Sequence, residues 1–384
     1  MSHANQKGLK IGISGCRGIP NHYGGYEQFA QYLSEGLLQR GHQVFVYQSS
    51  LHPYTQNQWQ GVQLLRKFDP EDKLGPFGQF IYDFNCLIDA KKRNFDVLLQ
   101  LGYTSNTIWY PLWDRRAVQV LHLDGLEWKR SKYGPLTQRF LKKMEAIATH
   151  QADVLIADSP VIQSHTRQQY GRKAIFIAYG ANAQPQTDKK HLDTFNLTPG
   201  QYFLAIARFV PENNLHTIIE GYLKSAQKHP LVLVGSTQTK YGKELFQKYQ
   251  DKNILFAGAL FNQEVLDSLR AYASLYFHGH SVGGTNPSLL EAMACSVPIC
   301  ANDNAFNRAI LDEQAYYFNT PDQLKNALLK VDSDKRLQAW KTNNLQKIRA
   351  DYQWEYIIEQ VEQLFFKALN RQHPQVATEI NINI

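Results

Sequence analysis

Short apolar runs recur along the chain. Each is followed by a polar or glycine-rich break and then by apolar residues at helical spacing. Residues 9–14 (LKIGIS) predict a strand that runs into a long glycine loop, residues 15–25. Residues 26–40 place Phe29, Leu33 and Leu37 on one helical face, with Gly41 as the stop. Residues 43–47 give a second strand, so the chain opens with a βαβ unit and a parallel sheet. The alternation continues. Helices are predicted over 76–92, 136–149 and 160–170, and strands over 96–101, 117–121, 154–157 and 174–178. Residues 182–200 are polar, carry Pro185 and Pro199, and read as a linker. A second alternating series follows, with strands at 202–207, 231–234 and 254–257 and helices at 213–225, 243–249 and 264–273. Residues 275–277 close an apolar run, 283–287 are turn chemistry, 288–293 a helix and 298–301 a strand. The tail, 321–370, is mostly helical, and 378–384 reads as frayed. The pattern therefore predicts two successive doubly wound α/β units, which bind ligands at the carboxyl ends of their strands.

A length of 384 residues suits two domains, and 43% hydrophobic content suits real cores. No apolar run is long enough for a transmembrane helix, and the chain enters a strand almost at once, so neither a span nor a signal peptide is expected. The four cysteines show no metal-ligand spacing and read as reduced, buried thiols of a cytoplasmic protein. A net charge of +7 favours an anionic partner such as nucleotide phosphates, a lipid diphosphate or a membrane surface. No basic helix is interleaved with aromatics, so nucleic acid is not expected. Lys129, Arg130, Lys132, Arg139, Lys142 and Lys143, with Lys91, Lys92 and Arg93, form a basic patch. It reads either as a solvated helix face or as peripheral contact with the inner face of the cell membrane.

The candidate chemistry lies in the loops. Gly283, Gly284, Thr285 and Asn286 precede Pro287, a pattern that opens a helix and presents N–H groups to a phosphate. Ser288 is in the first turn. Glu291, one turn in, suits the hydroxyls of a ribose. Arg208 leaves a strand and suits a diphosphate. Gly24 and Gly25 end the first glycine loop. Its glycines do not make the dinucleotide fingerprint, and residues 47–50 offer no acidic ribose partner, which argues against a dehydrogenase. Asp124 and Glu127 follow another strand. Asp124 is either a site carboxylate or a turn residue, and Glu127 with Arg130 can be a surface pair. His122 is either an acid–base group or a core histidine. His278 and His280 flank Gly279, with no ligand cluster that would make them a metal site.

The motif order GGYE, Ala157-Asp158-Ser159, Tyr179-Gly180-Ala181, ARFVPEN, LVGS and LLEAMACSVPICA resembles retaining glycosyltransferases of the two-Rossmann-domain (GT-B) type, sequence family 4, from about residue 10 to 370. GISGCRGIPNHYGGYEQF, LDGLEWKRSKYG and HGHSVGGTNPSLLEAM look like the bacterial rhamnosyltransferase subgroup of cell-wall and capsular polysaccharide synthesis. The resemblance implies an N-terminal acceptor-side domain over 1–181, a nucleotide-sugar domain over 182–351, and a helix at 352–372 packing back on the first. The two domains of such an enzyme face a cleft. It implies transfer of L-rhamnose from dTDP-rhamnose to a glycan or lipid-linked saccharide, with Asp124, Arg208 and Glu291 catalytic. Gly24, Gly25, Gly283, Gly284, Thr285, Asn286 and Ser288 would line the donor. No cofactor and no metal are expected. The chain departs from the wider family at Gly283, where a glutamate is usual, at Asn213, where a lysine is, and at Asp124, where a histidine is common. These departures suit a 6-deoxyhexose. Another donor, UDP- or GDP-hexose, or a non-catalytic glycan-binding protein on the same fold are the alternatives.

Overall fold

The computed structural model describes residues 8–130 and 133–372. Lys132 of the basic patch and the segment 378–384 lie outside the described residues. The chain divides into two compact units. The first holds 8–128, 134–178 and 354–372, and the second holds 129–130, 133 and 179–353.

In the first unit, β1 (Lys10–Ser14) leads to α1 (Gly25–Gln39), β2 (Gln43–Ser49), and a small pair, β3 (Gln58–Trp59) and β4 (Val62–Lys67). Then come α2 (Glu71–Leu74), α3 (Gly78–Ala90), β5 (Val97–Leu101), β6 (Val118–Leu123), α4 (Pro135–Gln151), β7 (Val154–Ala157), α5 (Pro160–Tyr170) and β8 (Ile175–Phe176). The strand order is β3-β4-β2-β1-β5-β6-β7-β8, parallel except for β3. Every residue of β5 and β6 is buried, as in a parallel sheet covered on both faces. Helix α5 shows how the sequence punctuates an element. The Ser159 side chain accepts the Ile162 N–H, Pro160 takes the first helical position, and Gly171 ends the helix at φ +65°.

The second unit is a parallel sheet in the order β11-β10-β9-β12-β13-β14. It is built from β9 (Phe203–Ile206), α6 (Leu215–Ser225), β10 (Leu231–Val234), α7 (Lys240–Tyr249), β11 (Ile254–Gly258), α8 (Gln263–Ala271), β12 (Leu275–His278), α9 (Pro287–Ala294), β13 (Ile299–Asn302), α10 (Ala305–Leu311), β14 (Tyr316–Phe318), α11 (Pro321–Leu328) and α12 (Leu337–Asp351). The stretch 182–200, read as a linker, is mostly exposed and is anchored to the second unit at a few points. It holds a 3-10 turn, Lys189–Phe195, with Leu192 and Leu197 buried, and the Asp188 N–H donates to Ser268 Oγ of α8 at 2.9 Å. Spaced leucines anchor a segment that otherwise stays exposed, as its polar composition suggests.

The last helix, α13 (Trp354–Gln372), belongs to the first unit. Tyr32 of α1 stacks on Trp354, with ring centroids 4.5 Å apart. The Leu9 N–H donates to His42 Nδ1, which leaves Nε2 as the donor to Glu362 Oε1 at 2.8 Å. Arg40 reaches Glu362 Oε2 at 2.9 Å. One carboxylate of α13 thus satisfies two groups beside α1. Replacing Glu362 with Ala should lower the stability of the first unit by about 3–6 kcal/mol, the worth of two charged hydrogen bonds at about 1.5–3 kcal/mol each. Urea unfolding followed by tryptophan fluorescence would measure it, and an unchanged midpoint would show that α13 is held by apolar contact alone.

Candidate functional site

Both sheets split their order at their first strand. Chain after β1 goes one way and chain after β5 the other, and likewise around β9 and β12. The carboxyl ends of such strand pairs are where doubly wound sheets bind ligands. The loops singled out in the sequence lie there: residues 15–24 after β1, Arg208 after β9, and 279–286 after β12.

In the second unit the two loops are locked together. A Cβ on Gly279 would sit 2.1 Å from the Asn213 carbonyl oxygen, so only glycine permits this approach. The Asn214 amide donates to the Gly279 carbonyl at 2.8 Å, and the Ser281 N–H and hydroxyl both donate to the Glu212 carbonyl, at 3.0 and 2.8 Å. From the other side Asn304 and Asn307 donate to the His280 carbonyl, at 3.0 and 3.1 Å. Asn213, where a lysine was the family expectation, is buried and donates to the Arg208 carbonyl at 2.8 Å. It shapes the turn that carries Arg208. The Arg208 side chain itself is exposed.

Gly283 has φ +124°, and a Cβ there would meet nothing within 4 Å. Backbone conformation, not room, therefore disfavours a glutamate at this position. Asn286 caps α9 by accepting the Ser288 N–H at 3.0 Å. The Ser288 hydroxyl is turned inward, to the Tyr276 hydroxyl at 2.8 Å and Arg270 at 3.2 Å. The sequence reading gave both residues to a phosphate. In this structure they satisfy each other or the interior, and an anion would have to exchange these bonds. Thr285 is buried, and Gly284 is half-buried beside it.

Glu291 is held by a residue that sequence reasoning passed over. Arg270 of α8 is buried and bonds Glu291 Oε2 at 2.5 Å and Asp267 Oδ1 at 2.9 Å. Its signal was an arginine among the apolar positions of α8 with an aspartate three residues before it. The pair fixes the Glu291 carboxylate. Burial pushes the Asp267 carboxyl up to about 6 against the pull of Arg270, with Glu291 adding to the push. Beside this network Tyr276, His278 and His280 form a ladder of rings, with the two imidazoles 4.4 Å apart. Burial holds both histidines neutral, driving His278 well below its ordinary value and His280 down to about 3, with Arg208 contributing to the latter. Among the described residues no group of three or more His, Cys, Asp or Glu is placed to hold a metal ion.

The first unit carries the remaining sequence candidates. Gly24 caps α1 with extended backbone and no side-chain cap, and Gly25 begins the helix. Buried Glu27 accepts the Arg17 N–H at 2.8 Å. Arg17 is bound by Glu71 through Nε and Nη2 and lies over the Tyr23 ring. Asp124 is half-buried and is the first residue past β6, because that strand runs two residues further than the sequence pattern suggested. His122 is therefore inside the strand, fully buried against Phe29, with its pKa lowered to about 3 by burial. It is a core histidine, and the acid–base reading of it falls.

Two parallel-sheet α/β units of this kind make the GT-B glycosyltransferase fold. Within it, residues 188–347 match the family model of glycosyl transferases group 1, and residues 115–182 match a domain of unknown function (DUF1972). No curated protein matches the chain in sequence. Among solved structures, a sucrose-phosphate synthase from Thermosynechococcus elongatus is similar over 95% of this chain and 100% of its own, with TM-score 0.80 and 18% identity. HepE of Anabaena in complex with UDP and glucose is similar over 94% and 100%, with TM-score 0.75 and 16% identity. The catalytic domain of starch synthase IV from Arabidopsis thaliana, bound to ADP and acarbose, is similar over 95% and 100%, with TM-score 0.71 and 14% identity. At such identities the likeness is one of fold.

Two outcomes follow from the buried charges. Arg270→Met should cost about 3–5 kcal/mol, because two carboxylates lose their cation, and adding Asp267→Asn should restore part of it. Additive losses in chemical denaturation would show that the pair does not act as a unit. For His278 the folded pKa is depressed, so its contribution to stability is present above about pH 6.5 and is lost as pH falls below it. Asp267, raised to about 6, works in the opposite sense. His278→Phe should flatten the acid loss of stability by up to about 1.4 kcal/mol per pH unit as pH falls below about 6.5. Parallel curves for variant and parent would contradict that.

Proposed function

We propose that the protein is a retaining glycosyltransferase that moves L-rhamnose from dTDP-rhamnose to a glycan or lipid-linked saccharide in cell-surface polysaccharide synthesis. The observation that carries the transferase reading is the locked loop pair at the switch point of the second sheet. It presents an exposed arginine, a glycine turn and a helix with an anchored carboxylate one turn in. In this reading Glu291 accepts from the ribose hydroxyls, and Arg208 with the N–H groups of 283–286 meets the diphosphate. Gly24, Gly25 and Asp124 serve the sugar. The bond from the anomeric carbon to the phosphate oxygen breaks and the acceptor oxygen bonds on the same face. The acceptor's proton passes to the departing phosphate, so no protein base is needed. Positive charge and aligned N–H groups lower the barrier most where negative charge builds up, on the leaving diphosphate. The reading calls for no resident cofactor or metal.

The rhamnose assignment rests on the motif resemblance and on Gly283, which removes a carboxylate that would face the donor's hydroxyls. A site with fewer charged acceptors suits a sugar with fewer hydroxyls. A UDP-hexose donor is the second reading, favoured by the UDP and glucose bound in HepE. Donor-dependent nucleotide release decides between them. dTDP-rhamnose should be consumed in preference to UDP-glucose and raise the melting temperature more. Reversed preference would replace rhamnose, and no release from any nucleotide-sugar would make the protein a glycan binder. Glu291→Ala should weaken nucleotide binding by about 1.5–3 kcal/mol. Arg208→Ala should lower kcat more than it raises KM.

A further inference from the structure

One face of the first unit exposes large apolar side chains around a single ring. The Phe80 ring lies 6.3 Å from that of Phe77 and 6.2 Å from that of Phe140, and its carbonyl accepts the Trp109 indole N–H at 2.9 Å. The residues next to these contacts project outward. Phe77 is 75% exposed and Leu136 is 80% exposed, and Leu74, Ile81 and Ile108 are exposed as well. Phe77 immediately precedes α3, and Leu136 lies one turn before Phe140 at the start of α4. The Phe80–Phe140 contact sets these two helix starts side by side. Exposed cations accompany them: Lys73 beside Leu74, and Arg139, Lys142 and Lys143 along α4. Asp72 is exposed nearby, whereas Glu71 is engaged by Arg17.

Leaving a phenylalanine and a leucine this exposed costs solubility and favours association. We infer that this face docks on an anionic lipid bilayer. Phe77 and Leu136 enter the boundary between headgroups and acyl chains, and the lysines and arginine meet lipid phosphates. The chemistry separates a bilayer from a protein partner. Protein interfaces bury aromatics in a core depleted of charge. Here the apolar side chains stand at helix starts with cations beside them, the arrangement of an interfacial anchor. Among the described residues no helix is long and apolar enough to cross a membrane. The inference does not rest on the transferase reading.

Sedimentation with vesicles tests it. The full chain should bind vesicles of phosphatidylcholine mixed with phosphatidylglycerol and ignore phosphatidylcholine alone, and added salt should weaken the binding. Phe77→Ser with Leu136→Ser should lower the partition coefficient roughly tenfold or more at low salt, whereas Leu329→Ser, an exposed residue of the second unit, should leave it unchanged. An unchanged melting temperature confirms that the double variant is folded. Equal binding by that variant, equal binding to neutral vesicles, or no binding at all would overturn the inference. So would a dimer of the parent chain that the double variant splits, since the face would then meet a second copy.

Discussion

Two backbones pass each other at the carboxyl end of each sheet, closer than any side chain permits. In the second unit Gly279 slides past the Asn213 carbonyl, and in the first Gly15 lies against the Leu101 carbonyl, where a Cβ would stand 2.2 Å away. Both contacts occur where the strand order reverses. A parallel sheet leaves a crevice at that point, and the glycine contact sets its floor in backbone. The side chains above it are then free to serve chemistry, because packing does not depend on them. Arg208 and the turn at Gly283 are placed in this way.

Beneath that floor the second unit holds a polar network that apolar residues could fill at lower electrostatic cost. Arg270 joins Asp267, Glu291 and Ser288, and Tyr276 continues it toward two neutral histidines. A buried pair of this kind adds little net stability. It does give Glu291 a fixed orientation, and preorganisation of a charged group is what a binding site gains from rigid support. Being neutral, His278 and His280 add no positive charge of their own beside Arg208.

The alternation of strands and helices was legible because most strands are apolar runs and most helices are apolar on one face, many of them closed by a cap, proline or glycine. Ser159-Pro160, Asn286-Pro287 and Thr320-Pro321 show this. The pattern failed where periodicity carries little information. β3 and β14, of two and three residues, are too short to show a period. β6 contains His122, a polar residue in a strand buried on both faces, and so read as ending at Leu121. At the site, residue types pointed to Arg208, Glu291 and the glycines. They could not show that Ser288 faces inward, that Asn213 supports a turn, or that Arg270 stands behind Glu291, because these depend on which way a side chain leaves its helix or loop.

The closing helix α13 also sets a timetable for synthesis. The first unit is missing one of its walls until residues 354–372 emerge, and the whole of the second unit is translated in between. At about 5–20 residues per second that interval is on the order of 10–35 s. During it the surface of α1 that receives Trp354, and His42, which awaits Glu362, face solvent or a chaperone. The domain made first is therefore completed last, so a ribosome that stalls late releases a chain whose early domain is still open.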